Sequence, residues 1–112
     1  MIKPKDLLRL YILWSLEQGP KCGYDIKKEI ESFAESTLVS NAILYFALRE
    51  LQRNKYITGT SGSRNKTIYT LSEKGKDELM IKKREAGRVA LHFKELFFEV
   101  LSMAEGDDDA SA

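Results

Sequence analysis

Cysteine and histidine are nearly absent from this chain: Cys22 and His92 stand alone among 112 residues. One cysteine excludes an intrachain disulfide, and one thiol plus one imidazole fall short of the ligand set that structural zinc needs. Cys22 reads as a small inert residue at a helix start. His92 lies among Leu and Phe with no positioned partner, so it reads as an interface or surface residue and not as a general base. No glycine-rich phosphate cradle and no grouped catalytic side chains are present, so an enzyme is not expected and no cofactor or metal is implied. Long apolar runs are missing as well. Leu7–Leu16 is interrupted by Arg9 and is too short to span a membrane. No small-residue cleavage site follows it, so the expectation is a cytoplasmic chain with no membrane partner. Internal repeats and long linkers are also lacking.

What is there has the composition of an ordinary globular domain, 43% hydrophobic and 31% charged, at a length that fits one domain and not two. A domain this small covers only part of its apolar surface, so a partner subunit would help it. The net charge of +1 is unevenly spread: residues 1–66 carry 11 Lys/Arg against 7 Asp/Glu, and residues 67–112 carry 7 against 10. The acidic excess sits largely in Glu105 and Asp107–Asp109, which with Gly106 suggest a frayed tail over 105–112.

Periodicity organises the rest. Pro4 suits a first helical turn, and a helix is expected from about Lys5 to Glu17. Leu7, Tyr11 and Trp14 form one stripe of it, and Leu8, Ile12 and Leu16 a second, with Leu10 and Leu13 between. That apolar surface is wider than one core face needs, which points to burial on two sides, one against a second subunit. Gln18-Gly19-Pro20-Lys21 is a stop signal. A second helix follows from Gly23 to about Ala34, with Ile26, Ile30 and Phe33 inward and Lys27, Lys28, Glu29 and Glu31 wet. Asp25 in its first turn suits the positive helix N-terminus. Glu35–Val39 reads as a polar link. Ser40 or Asn41 caps a third helix whose core stripe is Leu44, Leu48 and Leu51, ending at Asn54-Lys55.

Two short strands, Tyr56–Thr60 and Thr67–Leu71, are rich in β-branched and aromatic residues and flank Ser61-Gly62-Ser63, which is turn chemistry. Tyr24 and Tyr69 are expected on core faces. Ser72 and Glu73 open a last helix running to about Met103, with Leu79, Ala86, Val89 or Ala90, Phe93, Leu96 or Phe97 and Val100 along one seam. Such a helix, about 45 Å long, outruns the domain, and a second copy of the chain is the simplest cover for its far end. Gly87 and the bulky Phe run spoil a strict heptad, so a coiled coil is not expected.

The fold expected is therefore mainly α with a small β-hairpin: a winged helix-turn-helix over 1–71, then a long C-terminal dimerisation helix over 72–104. Helix, helix and basic-tipped hairpin in that order suit a DNA reader with a wing. With the leucine stripe inward, Ser40, Asn41, Tyr45 and Arg49 are left to face DNA, with Asn suited to adenine and Arg to guanine or phosphate. Arg64 and Lys66 at the hairpin tip would meet phosphates or a minor groove. Lys27 and Lys28 suit either a backbone contact or a solvated face. The dimer interface is expected to use Leu7, Tyr11 and Trp14 with the seam of the last helix.

Three segments resemble the PadR-like transcriptional regulators. Gly19–Ile26 is similar to the family's Gly-x-x-x-Gly-Tyr-acidic opening of the second helix. Ala42-Ile43-Leu44-Tyr45-Phe46-Ala47-Leu48-Arg49-Glu50-Leu51 is similar to its recognition-helix motif, small-Thr-Leu-Tyr-Pro-Ala-Leu-x-x-Leu. Lys66-Thr67-Ile68-Tyr69-Thr70-Leu71-Ser72-Glu73-Lys74-Gly75 resembles its passage from strand to last helix. With the first helix, the resemblance spans nearly all of 5–104. It implies a dimeric DNA-binding repressor of the short form, with a single C-terminal helix and an interface built from the first and last helices. Asn41 and Ala42 stand where the family usually has Pro-Gly or Pro-Ser, Ile43 replaces Thr, and Phe46 replaces Pro, so a target sequence does not carry over. A drug-lining tryptophan of some members falls near Ala86, where no aromatic stands. Two alternatives stay open: a winged-helix module for protein contact alone, and a regulator gated by a small apolar effector between subunits, with Trp14, Phe93 and Phe97 as candidate lining.

Overall fold

A computed structural model describes residues 4–33 and 40–111, with side chains over 6–32 and 40–106. The link 35–39, the Phe33 side chain and the acidic side chains of 107–109 lie outside the described residues. The order is α1 (Pro4–Glu17), β1 (Lys21–Cys22), α2 (Gly23–Phe33), α3 (Asn41–Arg53), β2 (Ile57–Ser61), β3 (Thr67–Leu71), α4 (Glu73–His92) and α5 (Lys94–Ser111). This is a winged helix followed by long C-terminal helices.

One core joins these elements. Ile12, Leu13 and Leu16 of α1 meet Ile26 and Ile30 of α2, then Leu44, Ala47, Leu48 and Leu51 of α3. Ile57, Tyr69 and Leu71 close it from the sheet, and Leu79 from α4. Each fully buried aliphatic side chain stabilises the fold by about 1.5–3 kcal/mol relative to exposure. Ile26 and Ile30 of the expected α2 stripe, the whole stripe of α3 and the position of Tyr69 are as observed. Leu79 differs. It was assigned to the outer seam but is 1% exposed inside the chain's own core, because the first turns of α4 lie on α1 and their inward positions are spent there.

The hairpin is part of a three-stranded antiparallel sheet of order β1-β3-β2. β2 and β3 pair from Ile57↔Leu71 to Ser61↔Thr67, and Lys21↔Tyr69 and Cys22↔Ile68 add the short third strand. Two residues carry no strand periodicity, which is why the segment reads as a stop signal alone.

The start of α4 is pinned to the turn after α3. Ser72 Oγ donates to the carbonyls of Lys55 and Tyr56, at 2.7 and 2.9 Å as alternatives, and accepts from Gly75 N–H at 3.0 Å. A Cβ at Gly75 would lie 2.0 Å from the Tyr56 carbonyl oxygen, so only glycine permits this approach.

The last helix is two helices. Phe93, at φ −111° and ψ 23°, ends α4 with its N–H on the Ala90 carbonyl at 3.1 Å, and α5 begins at Lys94. No Pro or Gly marks the break; the Phe93 and Phe97 rings meet edge-on across it at 6.2 Å. The backbone of 105–111, read as a frayed tail, continues in α5. Among the described residues no helix is long and apolar enough to cross a membrane.

Candidate nucleic-acid interface

α3 is held by its cap and its leucines. Ser40 Oγ accepts from Ile43 N–H at 3.2 Å, and the Ser40 carbonyl accepts from Leu44 N–H at 3.0 Å. With Leu44, Ala47, Leu48 and Leu51 buried, a step of 100° per residue turns Ala42, Phe46, Arg49 and Arg53 to the opposite pole. Tyr45 lies on one flank and Ile43 on the other. All six are exposed, Phe46 by 56% and Ile43 by 53%. Of the residues expected here, Asn41, Tyr45 and Arg49 are exposed side chains of α3, while the Ser40 oxygen is engaged as the cap. Sequence reasoning passed over Phe46, Ile43 and Ala42 because it kept only polar and aromatic-hydroxyl residues off the leucine stripe, and over Arg53 because it stopped one turn short of the helix end. Counting angular position alone finds all four.

The wing stands beside this helix. Gly62 N–H donates to the Lys66 carbonyl at 2.6 Å, closing a loop in which Ser63–Asn65 make one tight turn. Arg64 and Asn65 take left-handed backbone angles, φ 59° and 60°, and Arg64 and Lys66 are exposed. A cleft of about 260 Å³ joins wing and helix, lined by Cys22, Gly23, Tyr45, Asn65, Lys66, Thr67 and Tyr69. Tyr45 reaches it by packing over Gly23, where a Cβ would lie 2.8 Å from the ring. So Tyr45 and Lys66 share one concave surface, while Ser40 and Asn41 sit apart at the start of α3. Burial pushes the Tyr69 phenol up, Tyr45 adds to this, and the nearby Arg49 guanidinium opposes it.

The charge of this segment is of one sign. No Asp or Glu occurs from residue 51 to 72. Arg49, Arg53, Lys55, Arg64 and Lys66 have no carboxylate within ion-pair distance among the described residues. Arg9 pairs with both Asp6 and Glu50, and Lys21, Lys27, Lys76, Lys82 and Lys83 with one carboxylate each; outside α3 and the wing, Lys28, Lys74, Arg84, Arg88 and Lys94 have no such pair among the described residues. Lys27 pairs with Glu31 at 3.7 Å, and Lys28 lies 5.4 Å from the Tyr24 ring centroid. Tyr24 was expected in the core but is 56% exposed; in a helix of one inward stripe, its position belongs to the wet face, where its ring takes up Lys28.

Behind the interface a polar cluster ties α1 to β1 and α2. Tyr11 and Ser15 hydroxyls donate to Glu29 at 3.0 and 2.7 Å, and the Lys21 ammonium pairs with the same carboxylate. Burial alone would raise Glu29, but hydrogen bonds from Lys21, Ser15 and Tyr11 outweigh it and hold the carboxyl below its ordinary range. Burial and the Glu29 carboxylate push the Tyr11 phenol up to about 12. Tyr11 thus belongs partly to this cluster, while Leu7 and Trp14 remain exposed. Leu7, Leu10, Tyr11, Trp14 and Lys83 line an apolar cavity of about 310 Å³. On α4, Ala86 and Val89 are half-buried, and Phe93, Phe97 and Val100 are exposed further on.

A recognition-type helix, a basic wing and this order of elements have a known counterpart. The sequence profile of the transcriptional regulator PadR-like family matches residues 12–81. The chain belongs to the PadR-like family. It is a regulator, and this PadR-like chain is not an enzyme. Among solved structures it is similar to a transcriptional regulator from Clostridium thermocellum, at 25% identity and a TM-score of 0.73, covering 80% of this chain and 92% of that one. A PadR-like transcriptional regulator from Bacillus cereus is 26% identical with a TM-score of 0.70, covering 81% and 91%. Bacillus subtilis PadR is 29% identical in its complex with operator DNA, with a TM-score of 0.59, covering 66% of this PadR-like chain and 45% of that one. The same protein in complex with p-coumaric acid is 27% identical with a TM-score of 0.57, covering 71% and 43%. No curated protein sequence matches.

Proposed function

We propose that this PadR-like regulator binds duplex DNA sequence-specifically as a homodimer and represses transcription in the cytoplasm. The observation that carries the reading is the surface of α3 and wing, whose four cations, Arg49, Arg53, Arg64 and Lys66, lack acidic partners among the described residues. In this reading 1–71 reads DNA and the helices of 72–104 dimerise, with 105–112 free of either task. α3 lies in the major groove, where Asn41 and Arg49 meet base edges and Ser40 and Tyr45 meet backbone. Arg64 and Lys66 neutralise phosphates beside it. The likeness to a PadR solved with operator DNA supports this placement. Leu7, Trp14, Phe93, Phe97 and Val100 supply the exposed apolar surface for the dimer, with Tyr11, Ala86 and Val89 at its edge.

Titration with the DNA upstream of its own gene, at two salt concentrations, tests the reading. Specific binding that weakens steeply with salt is expected. Arg49→Ala should cost about 1–3 kcal/mol and relax sequence preference, while Arg64→Ala should weaken all sequences alike and lower the salt slope by about 1. Equal affinity for scrambled DNA would contradict sequence-specific binding, and a folded dimer with no DNA affinity would favour a protein-contact module. A reporter behind that upstream DNA should rise when the regulator is deleted; a fall would mean activation.

The apolar cavity beside α1 favours a second reading, regulation by a small apolar effector. Its lining is hydrophobic apart from Lys83, which suits an aromatic acid, and a PadR solved with p-coumaric acid is similar to this chain. Thermal stabilisation by such acids, coupled to loss of DNA affinity, is the expected result.

A further inference from the structure

The outward face of α3 is not what phosphate contact alone requires. Its pole carries Phe46 between Ala42, one turn before, and Arg49, just under one turn after, with Ile43 on the flank. Phe46 and Ile43 are more than half exposed. The apolar strip fills the N-terminal half of α3, the half that helix-turn-helix proteins lay against base edges. Arg49 and Arg53 follow on the same pole without acidic partners among the described residues.

We infer that Phe46, with Ala42 and Ile43 beside it, reads thymine through the C5-methyl group in the major groove. The inference rests on the DNA-reading function proposed above. The strip is bordered by Asn41, Tyr45, Arg49 and Arg53, and the one carboxylate beside it, Glu50, is neutralised by Arg9; such a surface is complementary to one that is anionic overall and apolar in spots. The major groove is such a surface: phosphates run along both rims, and thymine alone of the four bases presents a methyl on its floor. A protein partner would have to present a small apolar patch ringed by acid, and nothing in this chain calls for one. The position also explains why a hydrogen-bond inventory of α3 is thin: Asn41 and Arg49 are its polar base readers, and the turn between them is apolar.

The test uses the full chain and the sites it enriches from a random DNA pool. Each thymine of an enriched site is replaced singly by uracil, which pairs identically and lacks the methyl. At one or two positions in each half-site, affinity is expected to fall about three- to fivefold, the effect of one lost methyl contact. Phe46→Ala should bind the parent site more weakly and abolish that penalty at the same positions; Phe46→Leu should keep part of it. Phe46 is exposed, so both variants should fold, which circular dichroism checks. Specific binding with no uracil penalty anywhere, or a penalty that Phe46→Ala leaves unchanged, overturns the inference while the DNA-reading function stands. A folded chain with no sequence preference at all overturns both. A Phe46→Ala variant that binds every DNA like the parent but loses a protein that co-purifies with it overturns the inference in favour of a protein contact.

Discussion

The winged part, up to Leu79, and the arm beyond it use apolar residues in opposite ways. In the winged part α1, α2, α3 and the sheet turn their leucines, isoleucines and Tyr69 onto one another. In the arm, Leu91, Phe93, Leu96, Phe97, Phe98, Val100, Leu101 and Met103 are all exposed, although both parts are helical and similarly rich in Leu and Phe. α4 reaches back to α1 through Leu79 and through Lys83, whose ammonium meets Glu17 at 3.3 Å; among the described residues the large apolar side chains of α5 are all exposed. Isolated helices of this length are marginal in water, so α5 needs a surface the single chain does not supply. A second copy offers the same stripe by symmetry. In the dimer proposed above, the winged part would carry its own stability, and the arm's would depend on concentration.

Paired substitutions break or sharpen this contrast most strongly. Leu48 is wholly buried, and Leu48→Ala should lower unfolding free energy by about 2–5 kcal/mol in urea. Leu101→Ala removes the same atoms from an exposed site and should leave unfolding of dilute chain nearly unchanged. Equal losses would erase the distinction between the two parts. A smaller effect is expected from Phe97→Asp, which puts a charge on the arm's apolar face. It should raise the dimer dissociation constant by at least about 30-fold, roughly 2 kcal/mol, in sedimentation equilibrium. An unchanged association would place the interface elsewhere.

The smallest expected effect concerns the polar cluster that joins the two faces of the winged part. Glu29 is held below its ordinary value of 4.5, so its contribution is present above that pH and is lost as pH falls through the lowered value. The stability difference between the parent and Glu29→Gln should be largest near neutral pH, under about 1 kcal/mol for so accessible a group, and should shrink in acid. A difference that grows on acidification would contradict the hydrogen-bonded arrangement with Tyr11, Ser15 and Lys21.

Much of this was legible from residue order, and the misses share a cause. Leu44, Leu48 and Leu51 announce α3 by period, and Ser40 and Ser72 announce their helices by chemistry. β1 was illegible because two residues carry no period, and its pairing depends on β3 lying alongside. Leu79 was misplaced because a seam read along one helix does not say where a neighbour covers it. Tyr24 was misplaced because an aromatic residue beside a core stripe can instead take up a neighbouring lysine. The break at Phe93 has no Pro or Gly to mark it. At the interface, polar candidates in the first turns of α3 were found, while the apolar ones and Arg53 in the last turn were overlooked, since exposure follows from angular position and not from residue type.

The most direct measurement is selection of bound sequences from a random DNA pool by the full chain. A dimer whose two α3 helices enter successive major grooves should enrich an inverted repeat, with half-sites separated by about 10–10.5 base pairs or a multiple. No enrichment, or a single asymmetric site bound by one chain, would contradict a paired winged-helix reader.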